Sequence, residues 1–556
     1  MKTYEVYAKK YEIKSRNKIC RYIMLPPKTT QFQQLMSRFS LTSLALFATL
    51  TLSAQNLQRI GHLSYDPIKL AGCWHHVDNT GGEWALVGTS AGLSLVDLDD
   101  PSQPVERFAV PSLANNWREV KTWAGYAYFG SEAQQSGITI VNLNYLPDSI
   151  QWKVWRGDGF FDSLVVKSHA LQAEAGYLYI CGGATITSGV VIADLSDPWN
   201  PHIVSKYAAN YVHDAFIRGD TMWTSEIYLG QFGVVDISNR SNPVLLVTQP
   251  TPGAFNHNTG LSADSKTLYT ADEKNRAPLG AFDVSNLDDI RLLDVYLPSK
   301  KPDGEVHNVR VVPGDFLVCP SYRGQLTIVD GSRPDNLIEI AWDSLGTSLV
   351  WDADPYLPSG IVFATAKNEG LFIYQPTYAH AAWIEGLVTD ATTGSPLVDA
   401  KVFVLNSPNA DTTGADGLYK TGAAATGSYT LRAERTGYQP QVITNVTLQS
   451  GVVTTRNFAL SPLVGTEDAE NESFVRVSPT PFEDFLSVEF PAGSPFKTEE
   501  TTLRLSDFSG KRILEKNADA SGITVLDGLK KLPAGTYLLQ IASEKGLSKV
   551  VRVVKL

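Results

Sequence analysis

Five of the nine histidines recur at one place in a repeating segment. The copies begin at His75 (His-His-Val), Arg118 (Arg-Glu-Val), His169 (His-Ala-Leu), His213 (His-Asp-Ala), His257 (His-Asn-Thr), His307 (His-Asn-Val) and Trp351 (Trp-Asp-Ala). Carboxylates recur at a second place, in Ser131-Glu132, Ser225-Glu226 and Asp272-Glu273. Imidazole with carboxylate is a ligand set for zinc, iron, manganese, copper or nickel, so a divalent transition metal is the cofactor such a face would take. The candidate ligands are the contiguous run His213, His257 and His307, with Glu226 and Glu273 as partners. His169, His75 and Glu132 stand next in line, and Asp214 is placed to orient an imidazole from behind. His75 and His76 are adjacent, so only one of them can point inward. The plainer expectation is a repeat-consensus histidine that hydrogen-bonds the next repeat's backbone through one ring nitrogen. No residue is assigned a catalytic role.

The spacings between copies are 43, 51, 44, 44, 50 and 44 residues. A near-fixed period of this length marks a propeller or solenoid. Each unit reads as four strands. The His-bearing segment opens the first. The second is a short run such as Tyr177-Leu-Tyr-Ile-Cys or Thr267-Leu-Tyr-Thr, and antiparallel pairing returns its carboxylate-bearing end to the His face. The third opens on Gly, as in Gly92-Leu-Ser-Leu-Val-Asp and Gly324-Gln-Leu-Thr-Ile-Val-Asp. The Asp that closes it (Asp97, Asp194, Asp236, Asp283, Asp330) is expected to cap a turn. A fourth strand follows in every unit but the last. A spare strand, Leu57-Gln-Arg-Ile-Gly-His-Leu, precedes the first unit and supplies the missing one. Closing the ring in this way removes two sheet edges. The prediction is an all-β chain: a seven-bladed β-propeller over 55–376, followed by two β-sandwiches.

The composition narrows the partners. With 47 basic and 58 acidic residues the net charge is −11, which argues against nucleic-acid binding because polyphosphate needs a basic face. The chain has four cysteines. Cys73, Cys181 and Cys319 are expected to be buried free thiols, and Cys20 falls in the N-terminal extension. Trp117, Trp199 and Trp223 are expected to fill cores rather than stack on sugars. Residues 1–54 are read as a basic extension and secretory signal peptide, with the start at Met1 or Met36, an apolar run from Leu41 to Leu52 and cleavage after Ala54. That run is too short for an integral membrane span.

Three resemblances follow from the motifs. Gly-x-x-Ile-Val-Asp followed by Asp-x-Ser-x-Pro resembles the LVIVD-repeat proteins, and the layout with Asp272-Glu273 resembles the secreted choice-of-anchor B family. That likeness implies a fold and an extracellular location, not a reaction. Residues 380–461, with Ile384-Glu-Gly-Leu-Val-Thr-Asp and Gly427-Ser-Tyr-Thr-Leu-Arg-Ala, resemble the carboxypeptidase regulatory-like (prealbumin-like) sandwich, which implies a non-catalytic spacer or stabiliser. An acidic linker spans 462–473. Residues 474–556, with Leu505-Ser-Asp-Phe-Ser-Gly-Lys and Leu532-Pro-Ala-Gly-Thr-Tyr-Leu-Leu-Gln, resemble the type IX secretion C-terminal sorting domain, with Thr480 where that family carries Asn. The resemblance implies the type IX machinery as partner, export to the outer-membrane surface of a Gram-negative bacterium, cleavage, and attachment to surface lipopolysaccharide. The expected role is a secreted or cell-surface binding or adhesion protein with an extracellular protein or glycan ligand. The alternative is an extracellular metal-dependent enzyme working through the His/Glu face.

Overall fold

Short β-branched runs bounded by Gly and Asp turns close here as four-stranded antiparallel sheets. The computed structural model describes residues 56–159, 165–183, 189–463 and 475–556 except 492–493, 495, 497–499, 508–509 and 544–547. The expected signal peptide, Cys20 and most of the expected linker lie outside the described residues.

Seven four-stranded sheets occupy the chain from Leu57 to Pro376. Their first strands are Leu70–Val77, Val120–Trp123, Leu171–Glu174, Asp214–Arg218, Asn256–Leu261, Arg310–Val312 and Val350–Asp354. Neighbouring sheets meet at or beside these strands in sequence order, and Val350–Asp354 returns to Leu70–Val77. The seventh sheet is completed by the N-terminal strand Leu57–Leu63, which runs antiparallel to Gly370–Pro376 with Leu57 opposite Pro376 and Leu63 opposite Leu371. Apolar side chains pack between neighbouring sheets: Ile138 and Ile140 of the second, for example, lie against Leu178 and Val191 of the third. Asp97, Asp194, Asp236, Asp283 and Asp330 each accept the backbone N–H two residues on, at 2.6–3.0 Å. Cys73, Cys181 and Cys319 are free and buried. Among the described residues there is no α-helix, and no helix is long and apolar enough to cross a membrane.

The next module is a two-sheet sandwich. Ala382–Asp390 pairs with Leu418–Ala423, Val453–Thr455 and Phe458–Leu460. The facing sheet runs Ala410–Thr412, Lys401–Val404, Gly427–Glu434, Gln441–Leu448. The module does not stand off as a spacer. Ala381 and Trp383 are part of the core that holds Phe316, Ile338 and Ile340 of the sixth sheet. Asn336 Nδ2 donates to the Thr421 carbonyl at 3.1 Å, and the Ala381 N–H donates to Asp330 Oδ2 at 2.7 Å. Arg333 pairs with Glu385 and Lys420 with Asp335. A continuous apolar core crossed by hydrogen bonds and ion pairs makes the two modules one unit. Beyond residue 474, sheets of three and four strands enclose a core of Phe482, Leu486, Leu503, Leu539 and Val553.

Trp383 is the large side chain in the seam. Trp383→Ala is expected to cost about 3–5 kcal/mol, the usual range for emptying a buried aromatic site. Chemical denaturation followed through the propeller reads this. A loss below about 1 kcal/mol would mean that the sixth sheet does not depend on the docked module.

Candidate metal centre at the channel mouth

The ladder between first and second strands sets the height of each histidine. The backbone N–H groups of His169, His213 and His307 donate to the carbonyls of Cys181, Ser225 and Pro320 at 2.8–2.9 Å. His257 lies in the matching strand, Asn256–Leu261. The four rings therefore follow one another around the channel, with centroids 3.8 Å (His169–His213), 4.3 Å (His213–His257) and 4.0 Å (His257–His307) apart. Tyr322 stacks on His307 at 4.4 Å, and Trp351 continues the arc at 5.0 Å.

Two overlapping sets of ligand atoms result. One atom each from His169, His213 and His257 lie within 4.8 Å of one another, as do one each from His257, Glu273 and His307. Glu273 Oε2 is 4.0 Å from His257 Nε2, and Oε1 is 3.8 Å from His307 Nε2. Tyr322 Oη donates to Glu273 Oε1 at 2.9 Å. Glu132 Oε1 hydrogen-bonds His169 Nδ1 at 2.5 Å. His307 Nδ1 lies 2.5 Å from the Trp351 carbonyl, which can only accept. The proton is therefore on Nδ1, and Nε2 turns a lone pair toward the Glu273 carboxyl. His213 Nδ1, His257 Nδ1 and His307 Nε2 are buried without a hydrogen-bond partner among the described residues.

Burial first, then neighbouring positive groups, holds His213 and His257 well below the ordinary imidazole pKa. Burial does the same to His307, against the pull of its bond to Trp351. The rings are thus neutral, the form that ligates metal. Burial raises Glu273, while its bond to His169 lowers Glu132.

Three expected members are placed elsewhere. Glu226 is fully buried and accepts from Asn210 Nδ2 (2.9 Å), Gln231 Nε2 (2.7 Å) and Thr224 Oγ1 (3.2 Å), so it serves its own loop and strand rather than the histidines. Asp214 orients no imidazole; its Oδ2 accepts Asn258 Nδ2 from the next sheet at 2.7 Å. His75 is offset along its strand. The residue level with Trp351 is Ala71, which packs on Trp351 and Tyr322 and whose carbonyl accepts from Thr365. His75 lies four residues further on, where its Nδ1 bonds Asp354 Oδ2 at 2.8 Å. Arg118 keeps its place but turns its Nε to the Thr89 carbonyl at 2.5 Å.

Tyr322 is the functional residue that a search for carboxylates passes over. It follows Ser321 at the end of a second strand, as Glu132 follows Ser131 and Glu226 follows Ser225. Of the tryptophans, Trp223 is buried, Trp199 packs on Tyr126, and Trp117 is exposed.

Family models match three parts of the chain. The LVIVD repeat matches residues 81–111 and 229–251. The carboxypeptidase regulatory-like domain matches 383–461, and the secretion system C-terminal sorting domain matches 476–555. The chain therefore carries LVIVD repeats, a regulatory-like sandwich and a type IX sorting domain, and the last supports secretion by that route. No curated protein matches. Among solved structures, a provisionally assigned 6-phosphogluconolactonase from Bacteroides uniformis is similar at 12% identity, with 48% of this chain and 84% of that chain covered and a TM-score of 0.38. A likeness of that size carries no argument about function.

The neutral imidazoles make a sign-definite prediction for the chelator-treated protein. Their folded pKa lies below the ordinary 6.5, so between the two values the unfolded chain binds more protons. Stability therefore falls as pH drops through that window, by up to about 1.4 kcal/mol per pH unit for each group. Glu273, whose folded pKa is raised, acts in the opposite sense. His257→Gln is expected to flatten the fall in denaturant midpoint from neutral to mildly acid pH. An unchanged slope would mean that His257 is protonated in the fold.

Proposed function

We propose that this chain is an exported extracellular or cell-surface binding protein whose channel mouth holds a divalent transition-metal ion. The carrying observation is the Glu273–His307 pair beside His257. A lone pair on His307 Nε2 and the carboxyl of Glu273 face each other at 3.8 Å, with His257 in the same group of ligand atoms. Two electron-rich groups this close favour a cation between them. His213 and His169 extend the same arc, so the imidazoles outnumber the carboxylates, a balance suited to zinc, copper, iron or nickel over calcium or magnesium. Tyr322 holds Glu273 from behind, and the Trp351 carbonyl fixes the His307 ring, as outer partners of ligands do.

The metal shapes a recognition face, whose ligand would be an extracellular protein or glycan. The sorting domain delivers that face outside the cell, and attachment to surface lipopolysaccharide after its removal belongs to the same reading. The acidic balance of the chain agrees with cation capture and opposes polyanionic partners.

Elemental analysis of the full secreted chain is expected to find about one equivalent of transition metal, falling below about half in His257→Ala. Equal, sub-stoichiometric metal in the two proteins would overturn the assignment. Export is checked separately: deletion of 476–555 is expected to leave the protein in the periplasm. Normal appearance of the truncated chain outside the cell would refute the route.

A further inference from the structure

The same strands that carry the histidines lead, two to five residues later, to a second site. At about 3.3 Å per residue this lies roughly 7–17 Å along the channel. A cavity of about 310 Å³ opens there, within the range of small-ligand sites, and six of the seven sheets contribute to its wall. We propose that this cavity binds one pyranose unit of a glycan.

The aromatic wall comes first. Trp74, His75 and Tyr356 form a cup, with centroids 5.1 Å (Trp74–His75), 5.7 Å (Trp74–Tyr356) and 5.9 Å (His75–Tyr356) apart. Their planes are tilted by 33°, 53° and 58°. With these tilts no planar ligand can lie flat on all three faces at once. A tilted cup fits a puckered ring, whose C–H faces meet the aromatics while its hydroxyls point outward.

The polar groups supply hydroxyl recognition. His75 Nδ1 donates to the fully buried Asp354 at 2.8 Å, which holds the ring and its Nε2 in a set direction. Gln172 and Glu174 line the opposite wall. Thr259, also in the wall, is 3% exposed, and its hydroxyl has no hydrogen-bond partner among the described residues. A sugar hydroxyl both donates and accepts, as this mixed set requires.

The cations of the wall have acidic neighbours. Arg310 is held by both oxygens of Asp352 at 2.8 and 2.9 Å, while Arg218 donates to the Ser262 and Leu261 carbonyls and attracts the Glu174 carboxyl in the same lining. This balance of charge favours a neutral ligand. The site goes beyond the metal reading and shares no residue with it.

The test is saturation-transfer NMR on the full secreted chain with a panel of methyl pyranosides: gluco, galacto, manno and N-acetylglucosamine. At least one is expected to receive transfer from the protein. His75→Gln, a partly exposed and conservative change, is expected to weaken its binding about tenfold or more, as is Trp74→Ala. Chelator treatment of the wild-type chain is expected to leave it unchanged, which separates this site from the metal. No transfer to any member of the panel would overturn the proposal. So would wild-type affinity in both folded variants, or binding of indole in place of the sugars.

Discussion

From its fourth sheet round to its first, the propeller depends on a ladder of polar side chains, each one residue after His213, His257, His307 or Trp351. Asp214 accepts from Asn258 Nδ2, and Asn258 Oδ1 accepts the Val309 N–H at 2.9 Å. Asn308 Nδ2 donates to Asp352 Oδ1 at 2.9 Å, and Asp352 Oδ2 accepts the Cys73 N–H at 3.4 Å. Every rung joins one innermost strand to the next, and every side chain in it is buried. Such bonds add little net stability, but each is costly to leave unmade, so they hold the strands at one relative height. That height decides everything else in the channel. One residue before the ladder, four imidazoles come level and touch. Three residues after the histidines, Phe216 and Arg310 line a cavity.

How far this was legible in the sequence follows from what defines a position. Strand order, the borrowed N-terminal strand and the Asp turns were all readable, because each rests on a local pattern: β-branched runs, Gly at strand starts, Asp two residues before a free N–H. The histidine level was readable in the third to sixth sheets for the same reason. It failed in the first. There the level is held by Ala71-Gly72, which lacks the ladder's amide or carboxylate, and a neighbouring His-His pair offered a better match in letters. The reason for glycine lies in the next sheet. A Cβ on Gly72 would sit 2.5 Å from Glu119 Oε1, because Glu119 reaches across into the space. No reading of one strand alone exposes that exchange. Glu226 misled in the same way: its position matches Glu132 and Glu273, but Asn210 in the preceding loop and Gln231 at the start of the next strand claim its oxygens.

The docked sandwich changes how the chain is delivered. The last strand of the ring ends at Pro376, and Trp383 is already inside the sixth sheet's core. The seventh sheet therefore closes beside the seam with the next module. Ring closure relies on strands from opposite ends of the propeller, and non-local pairing of this kind forms late and slowly. The module anchored just past the closing point packs against the sixth sheet, next to the sheet that Leu57–Leu63 completes. Stabiliser describes the regulatory-like domain better than spacer.

Between the candidate metal ligands and the aromatic cup lies a layer of paired charge. Glu119 is half-buried, and desolvation raises its carboxyl to about 7 against the pull of Lys121, whose Nζ is 3.6 Å away. The same ammonium lies 4.2 Å above the Trp74 ring, on the cavity side. Arg310 and Asp352 close the rest of the layer. The innermost strands thus sort the channel into levels, a group of imidazoles, an ionic layer and a cup of aromatic and polar side chains, from seven short strands of similar sequence. A repeat that varies one residue per copy can furnish each level separately. That separability explains how a single fold unit places a candidate metal centre and a candidate ligand cup in one channel without sharing a residue.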